Sequence, residues 1–301
     1  MSSTRPRRPC GLPTTCGRWL RPFFSPRRWD WCSNLPGCAV ADEWVQTAID
    51  GALATVTLNR PDKLNTLTPV MLDALENAAR RLEAERDVRV VILTGAGERA
   101  FCAGADIHAW AALQPLDMWR RWVRRGHQVF DQWARLRQPV IAALNGHAFG
   151  GGLELAIACD LRIADQAAQF ALPEARIATC PGWSGTQRLV RLIGPSAAKY
   201  LALSGQRLDS AGALRCGLLH EVTTTAAKGA ALERAQQLAQ QMCEQAPVSL
   251  QLAKQLINAA ADEDAAACME AMAGALAAFT DDAKEGVSSF RDKRPPHYTG
   301  R

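Results

Sequence analysis

Three short stretches hold residues whose types and spacing could do chemistry. In NGHAFGGGLELAIACD (145–160) three consecutive glycines, Gly150, Gly151 and Gly152, precede an apolar run containing one carboxylate, Glu154. Glycines at the start of a helix let the backbone approach a ligand closely, and the free N–H groups there favour negative charge. A carboxylate inside an apolar helix is either satisfied by a buried partner or kept for function, and the residues alone leave both open. In AFCAGADIHAW (100–110) a strand ends, a small-residue turn with Gly104 follows, and a helix begins near Asp106, which reads as an N-cap. In FALPEARIATCPGWSGTQRLVRLIG (170–194) a strand leads to Pro173-Glu174, then a loop with Pro181-Gly182 and Gly185, then a helix. By itself Glu174 reads as an exposed loop acid, and the triple glycine by itself as a tight crossover.

The elements that must position these groups follow a regular order. VQTAIDGALATVTLN alternates around Asp50-Gly51, a hairpin signature. Thr68 followed by Pro69 is a cap and a favoured first helical residue, and Met71, Leu72, Leu75 and Leu82 supply the apolar stripe of a helix over 69–86. VRVVIL (88–93), PVIAAL (139–144) and LRIA (161–164) read as buried strands. Beyond Gly185 the pattern is helical: 186–193, 195–204, 210–216, 225–245, 247–260 and 264–280. Strands alternating with helices and then a helical tail predict an α/β core with an α-rich C-terminal portion.

Composition narrows the function classes. Of 301 residues, 48% are hydrophobic and 22% charged, the range of an ordinary soluble domain. No apolar run reaches the roughly eighteen residues that a membrane span needs. The formal charge of +5 is an N-terminal matter, because residues 1–40 hold seven arginines and one acid, leaving the other 261 residues at −1. Polyanion binding by the body of the chain is therefore not favoured. Residues 1–40, rich in proline and arginine and without periodicity, read as a disordered extension or an over-extended gene start, with the native protein expected to begin near Val40. Cys102, Cys159, Cys180, Cys216, Cys243 and Cys268 read as reduced core residues, and Cys10, Cys16, Cys32 and Cys38 form no C-x-x-C pair, so neither a disulfide framework nor a zinc site is expected. A reducing, cytoplasmic compartment fits this usage.

Taken together with LNRPDKLNTL (58–67) and FTDDAKEGVSSFRDKRPPHYTG (279–300), the three stretches closely resemble the crotonase superfamily, the enoyl-CoA hydratases and isomerases, from about Val45 to Gly300. The resemblance implies an α/β, ClpP-like crotonase fold of repeated ββα turns with an α-helical C-terminal trimerisation region. The core would span 41–230 and the helical region 231–301. It implies an acyl-CoA thioester substrate whose carbonyl lies between the backbone N–H groups of Ala105 and Gly151, where an enolate oxygen would be stabilised. Glu154 would orient and activate water, Glu174 would deliver a proton to the α-carbon, and the Gly182 N–H would help place the water. Lys63, Leu64, Ala103, Asp106 and Ile107 would contact coenzyme A. Phe290 and Lys293 would join them from the tail, which in relatives comes from an adjacent subunit.

The implied reaction is enoyl-CoA hydration, the reversible syn addition of water to the 2,3 double bond. The nearest alternative is a Δ3,Δ2-enoyl-CoA isomerase, which needs one proton-shuttling carboxylate; retention of both Glu154 and Glu174 favours hydration. One branch of the superfamily binds RNA through a lysine-lined helix, but the matching helix here, 69–86, has no lysine and mixes arginines with acids. No metal or redox cofactor is implied, coenzyme A being part of the substrate. The expected partners are the acyl-CoA and further copies of the chain, as a homotrimer or dimer of trimers, with no nucleic acid and no membrane. The chain departs from the family at one loop: PGWSGTQRL stands where many hydratases read PGAGGTQRL. Trp183 would either narrow the acyl pocket or pack beneath the loop. Trp110, Trp119, Trp122 and Trp133 lie in or near a segment that covers the acyl tail in relatives, and core tryptophans on an amphipathic helix explain them equally well.

Overall fold

Asp50-Gly51 does turn the chain. In this computed structural model, which describes residues 41–224, 227, 229–263 and 265–301, a short helix α1 (Ala41–Trp44) leads into the hairpin of β1 (Val45–Asp50) and β2 (Leu53–Leu58). Asp50 pairs with Leu53 across the turn, where Gly51 takes the positive φ of +55°. The expected N-terminal extension lies outside the described residues. Next come α2 (Pro69–Ala84), capped by the Thr68 side chain as expected, then β3 (Val90–Gly95), β4 (Ala100–Cys102), α3 (Ile107–Trp110), α4 (Pro115–Asp117) and α5 (Arg124–Arg135). A wide π-helical segment, Met118–Val123, joins α4 to α5. β5 (Val140–Leu144), β6 (His147–Phe149), α6 (Gly151–Ala158), β7 (Leu161–Ala164) and β8 (Gln169–Ala171) follow. The chain closes with α7 (Gly185–Ser204), β9 (Leu208–Asp209), α8 (Ser210–Arg215), β10 (Glu221–Val222), α9 (Ala230–Cys243), α10 (Pro247–Ala260), α11 (Ala265–Ala278) and α12 (Asp281–Asp292). Gly194, at φ 76° and ψ 163°, breaks α7 into the two helices that the sequence predicts.

Two sheets share the strands. The larger runs β1-β2-β3-β5-β7-β10 and the smaller β4-β6-β8-β9. Consecutive strands β3/β4, β5/β6 and β7/β8 are thus split, one to each sheet, and a helical segment follows each pair, which is the repeated ββα arrangement. In the large sheet all pairs after the first are parallel, and its central strands are buried on both faces. Alternation decides what each face meets. Val91, Leu93, Ala142 and Leu144 join the core with Met71, Leu72 and Leu75 of α2, whereas Val90, Ile92, Ile141, Ala143 and Ile163 meet α9.

The helix α9 belongs to the sheet layer. Ala231, Ala235 and Ala239, one turn apart, are fully buried against β3, β5 and β7, and the Asp165 carboxylate at the end of β7 caps the helix by accepting from Gly229 N–H at 3.2 Å and Ala231 N–H at 2.7 Å. The expected boundary at 230/231 therefore falls inside a layer of the core. The described residues from Ala41 onward belong to one compact unit, and the helices that stand away from the sheet begin after Cys243. Of the cysteines expected in the core, Cys102 and Cys159 are buried and Cys216 and Cys243 half-buried, whereas Cys180 is exposed on the loop before α7; the Cys268 side chain lies outside those described. No helix among the described residues is long and apolar enough to cross a membrane.

Candidate active site

The small sheet gathers the groups. β6 lies between β4 and β8, parallel to both, so the C-terminal ends of all three strands open on one side. Ala105 follows β4, Gly151 follows β6 and Glu174 follows β8. Ligands of open α/β sheets bind at such carboxyl ends.

Each glycine of the triplet has its own steric reason. Gly150 has φ 51° and ψ −126°, a backbone conformation reserved for glycine, and a Cβ there would lie 2.8 Å from Glu174 Oε1. A Cβ on Gly151 would lie 2.7 Å from Cζ3 of the Trp183 ring and 3.5 Å from the Ala105 nitrogen. A Cβ on Gly152 would lie 2.1 Å from the Cys102 carbonyl oxygen, so only glycine lets α6 sit this close to β4. Across the gap Gly104, at φ +107°, faces the Gly151 nitrogen. Around this junction Leu67 N–H donates to Gly104, Asp106 N–H to Leu67, Gly150 N–H to Ala171 and Glu154 N–H to Gly150. The N–H groups of Ala105 and Gly151 donate to no acceptor among the described residues, and Gly151 stands in the first turn of α6, where the helix dipole favours an anion. Two adjacent unengaged donors of this kind can hold a developing oxyanion.

The two carboxylates are held differently. Glu154 is 2% exposed, and its Oε1 accepts from Trp183 N–H at 2.8 Å and Gly185 N–H at 3.0 Å. Burial raises its pKa above the ordinary value against the opposing pull of the Trp183, Gly185 and Gly182 amides. Glu174 is half-buried, not the exposed loop acid of the local reading, because β8 delivers it onto Gly150. Its Oε2 is buried with no hydrogen-bond partner. Burial, together with the like charge of Glu154, pushes the Glu174 carboxyl up to about 7. One carboxylate is thus cradled by amides while its neighbour is left free to carry a proton near neutrality.

The residues expected to meet coenzyme A fall into two groups. The turn over 60–67 lies against 103–107: Ala103 N–H donates to Leu64 at 2.9 Å, and Leu67 bridges to Ala105. Lys63 and Ile107 are exposed on either side. The Asp106 side chain caps α3 through His108 N–H and pairs with Arg60 at 2.7 Å. Burial opposes ionisation there, but Arg60 and the cap hold the Asp106 carboxyl below its ordinary value. Phe290 and Lys293 are another matter. They sit at the end of α12, exposed, and no hydrogen bond or ion pair among the described residues joins them to the carboxylates.

Several positioning residues gave no signal in the sequence. Asn65, fully buried at φ +55°, accepts from Arg60 N–H and donates to the carbonyls of Ala96 and Ala100, pinning the 60–67 turn. Ser184 is buried with φ +69° and bonds to His127 Nδ1, while Arg188 holds Asp131 beside it at 2.7 Å. Gly126 and His127 neighbour each other on α5, far in sequence from the loop they touch. Of the flagged tryptophans, Trp133 is core, donating to Leu75, and Trp119 is exposed, whereas Trp122 packs on Trp183. A cavity of about 690 Å³ between α2 and α5, lined by Glu76, Arg80 and Asp131 among others, includes neither carboxylate.

The enoyl-CoA hydratase/isomerase family model matches residues 48–301. The short-chain-enoyl-CoA hydratase of Clostridium acetobutylicum is 38% identical over 247 residues, covering 81% of this chain and 93% of the relative. The (E)-benzylidenesuccinyl-CoA hydratase of Thauera aromatica is 36% identical over 260 residues, covering 85% and 99%. The crystal structure of an enoyl-CoA hydratase from Bacillus anthracis superposes with a TM-score of 0.70 at 37% identity, covering 86% of this chain and all of that one. A split ββα architecture, paired unengaged amides and a family match over residues 48–301 converge: the chain belongs to the enoyl-CoA hydratase/isomerase family of the crotonase superfamily.

Proposed function

We propose that this site adds water, reversibly and syn, across the 2,3 double bond of a 2-enoyl-CoA thioester. One observation carries the reading. A Cβ on Gly150 would lie 2.8 Å from the Glu174 carboxylate and one on the next residue, Gly151, 3.5 Å from the Ala105 nitrogen, so proton-transfer and anion-holding groups share one small space. The thioester oxygen would accept from Ala105 and Gly151 N–H. As a water oxygen bonds C3, the double-bond electrons move away from C3 onto the thioester carbonyl oxygen, and the two amides stabilise the enolate so formed. Glu154, held by the amides of Trp183 and Gly185, receives the water proton, and Glu174 gives its own proton to C2. The bonds balance without any outside acid or base. Gly182 acts through Glu154, its amide bearing on that carboxylate. The relatives named as hydratases of CoA thioesters support this choice of reaction.

Lys63, Leu64, Ala103, Asp106 and Ile107 would flank the coenzyme A portion, with Asp106 contributing backbone only, since its carboxylate is engaged by Arg60 and the helix cap. Assembly of copies belongs to the same proposal. Val248, Ile257, Met269, Leu276, Phe279 and Phe290 leave apolar side chains exposed on α10 to α12 and the turns between them, a surface fit to dock another copy and to bring Phe290 and Lys293 to its substrate. Light scattering would test the trimer.

The reaction is tested by following the conjugated-thioester absorbance of crotonyl-CoA with wild type, Glu154→Gln and Glu174→Gln. Loss of absorbance that both substitutions abolish supports hydration. Inactivity on crotonyl-CoA with conversion of a 3-enoyl-CoA, dependent on Glu174 alone, would establish the isomerase instead.

A further inference from the structure

We infer that Trp183 sets the length of the acyl chain, closing the pocket beside the anion hole so that the enzyme takes short 2-enoyl groups. The inference rests on the hydratase reading for the direction of the acyl chain. Two contacts fix where the indole stands. Its six-membered ring fills the space a side chain on Gly151 would need: a Cβ there would meet Cζ3 at 2.7 Å and Cε3 at 2.8 Å, and that same point is 3.5 Å from the Ala105 nitrogen. Its backbone N–H meanwhile holds Glu154 Oε1 at 2.8 Å. A thioester with its oxygen at the two amides and its C3 near Glu154 is therefore flanked by this one residue from carbonyl to β-carbon. Carbons beyond C3 meet the ring.

The ring has no room to give way. Trp183 is 3% exposed, with Trp122 tilted against it at 5.1 Å and Phe130 edge-on at 5.3 Å between centroids. Its Nε1–H donates to the Trp122 carbonyl at 3.3 Å, within the π-helical segment Met118–Val123. Such widened turns gather at functional sites because they re-aim backbone groups. Helix α5 carries glycine where it meets the ring: a Cβ on Gly126 would lie 2.1 Å from both Cδ1 and Nε1. Glycine inside a helix is unfavourable, so its presence here marks a position shaped around the indole. The next residues interlock as well, His127 Nδ1 with the Ser184 hydroxyl, which holds Ser184 in the left-handed conformation that sets the loop. Gly126-His127 on the helix and Trp183-Ser184 on the loop thus fit as a pair. A tryptophan that merely packed beneath the loop would not need contact with Gly151.

The test compares kcat/KM for crotonyl-CoA and trans-2-decenoyl-CoA in wild type, Trp183→Phe, Trp183→Ala, Gly126→Ala and the Gly126→Ala/Trp183→Ala double variant. Each ratio is internal to one protein, so a partial loss of folded enzyme cancels. Wild type is expected to prefer the short substrate by about a hundredfold, and the long-to-short ratio to rise in the order Trp, Phe, Ala by about tenfold or more overall. Gly126→Ala alone should drive the ring toward Gly151 and depress crotonyl-CoA turnover, and Trp183→Ala should restore it in the double variant. Calorimetric binding of butyryl-CoA and decanoyl-CoA makes the same comparison without catalysis, which separates failure of this inference from failure of the hydratase reading. A wild type indifferent to chain length, or a Trp183→Ala ratio unchanged in both turnover and binding, overturns it.

Discussion

Glu174 Oε1 stands 2.8 Å from the point where a side chain on Gly150 would begin. The collision alone is mild, because a carboxylate at the end of a flexible chain can swing aside. The backbone at φ 51° and ψ −126° is less forgiving and costs a non-glycine residue about 1–3 kcal/mol. Gly150→Ala is therefore expected to lower stability by that amount, seen in urea unfolding. The carboxylate it displaces is the proposed proton donor, so kcat should fall by about 10²–10⁴. KM for crotonyl-CoA should change only a few-fold, since the acyl group is held elsewhere. A large KM effect with kcat retained would place Glu174 in binding.

The carboxyl pair gives a pH profile with a definite shape. Burial first, and the charge of Glu154 second, hold the Glu174 carboxyl up to about 7, so the pair keeps one proton near neutrality. In the proposed mechanism hydration moves that proton from Glu174 to carbon and places another on Glu154, leaving the pair singly protonated again. Both directions thus need the same protonation state. Hydration of crotonyl-CoA and dehydration of 3-hydroxybutyryl-CoA should share one bell for kcat/KM, with an alkaline limb near pH 7. A stability consequence follows from the same shift. The folded state binds the Glu174 proton more tightly than the unfolded chain, whose carboxyl titrates near 4.5, so this group's contribution is lost as pH rises from about 4.5 through about 7. Glu174→Gln should flatten that slope in denaturation curves taken across the window.

What could be read before the fold was known divides along sequence distance. The Thr68 cap, the Asp50-Gly51 turn and the Asp106 cap are settled by neighbours, and the structure has all three. Arg60, which neutralises Asp106 from 46 residues away, is not local. The strands of the small sheet are three residues or fewer, too short for periodicity to register, yet they place Glu174 against Gly150. For that reason the acid reads as exposed in the sequence and is half-buried in the fold. The triple glycine announces itself, but its three separate causes, a carboxylate, an indole and a carbonyl, come from three different elements. The same holds for α9: a helix is read over 225–245, but that the face of Ala231, Ala235 and Ala239 packs on the large sheet is decided by strands far away in sequence.

Asn65 offers a test of stability apart from chemistry. It is fully buried, adopts φ +55°, and satisfies Arg60 N–H and the carbonyls of Ala96 and Ala100. Asn65→Ala removes three hydrogen bonds, one to the buried Ala100 carbonyl and two to the part-buried Arg60 N–H and Ala96 carbonyl, and puts alanine in a left-handed conformation that asparagine tolerates better. Each stranded group costs about 1–3 kcal/mol, partly relieved by relaxation, so a loss of about 3 kcal/mol is expected in chemical denaturation. The turn it pins flanks the residues proposed to meet coenzyme A, so KM should rise more than kcat falls. A variant as stable as wild type would show that the turn holds itself.

Glu154 presents the reverse case, a functional group that the fold would be firmer without. Burial raises its pKa above the ordinary 4.5, the amides of Trp183, Gly185 and Gly182 recovering only part of that desolvation. Glutamine keeps an acceptor oxygen for the Trp183 and Gly185 N–H groups while removing the buried charge. At pH 8, where wild type must ionise or hold a proton against the bulk, Glu154→Gln should be more stable by about 1 kcal/mol. Below pH 4.5 the carboxyl is protonated in both folded and unfolded chains, so the advantage should vanish there. Hydration should be lost at every pH. Thermal unfolding of the pair of proteins at pH 8 and pH 4 makes the comparison. A stabilisation of equal size at both pH values would trace it to packing, and a destabilised variant would mean that the charged carboxylate is what draws the 182–185 loop into place.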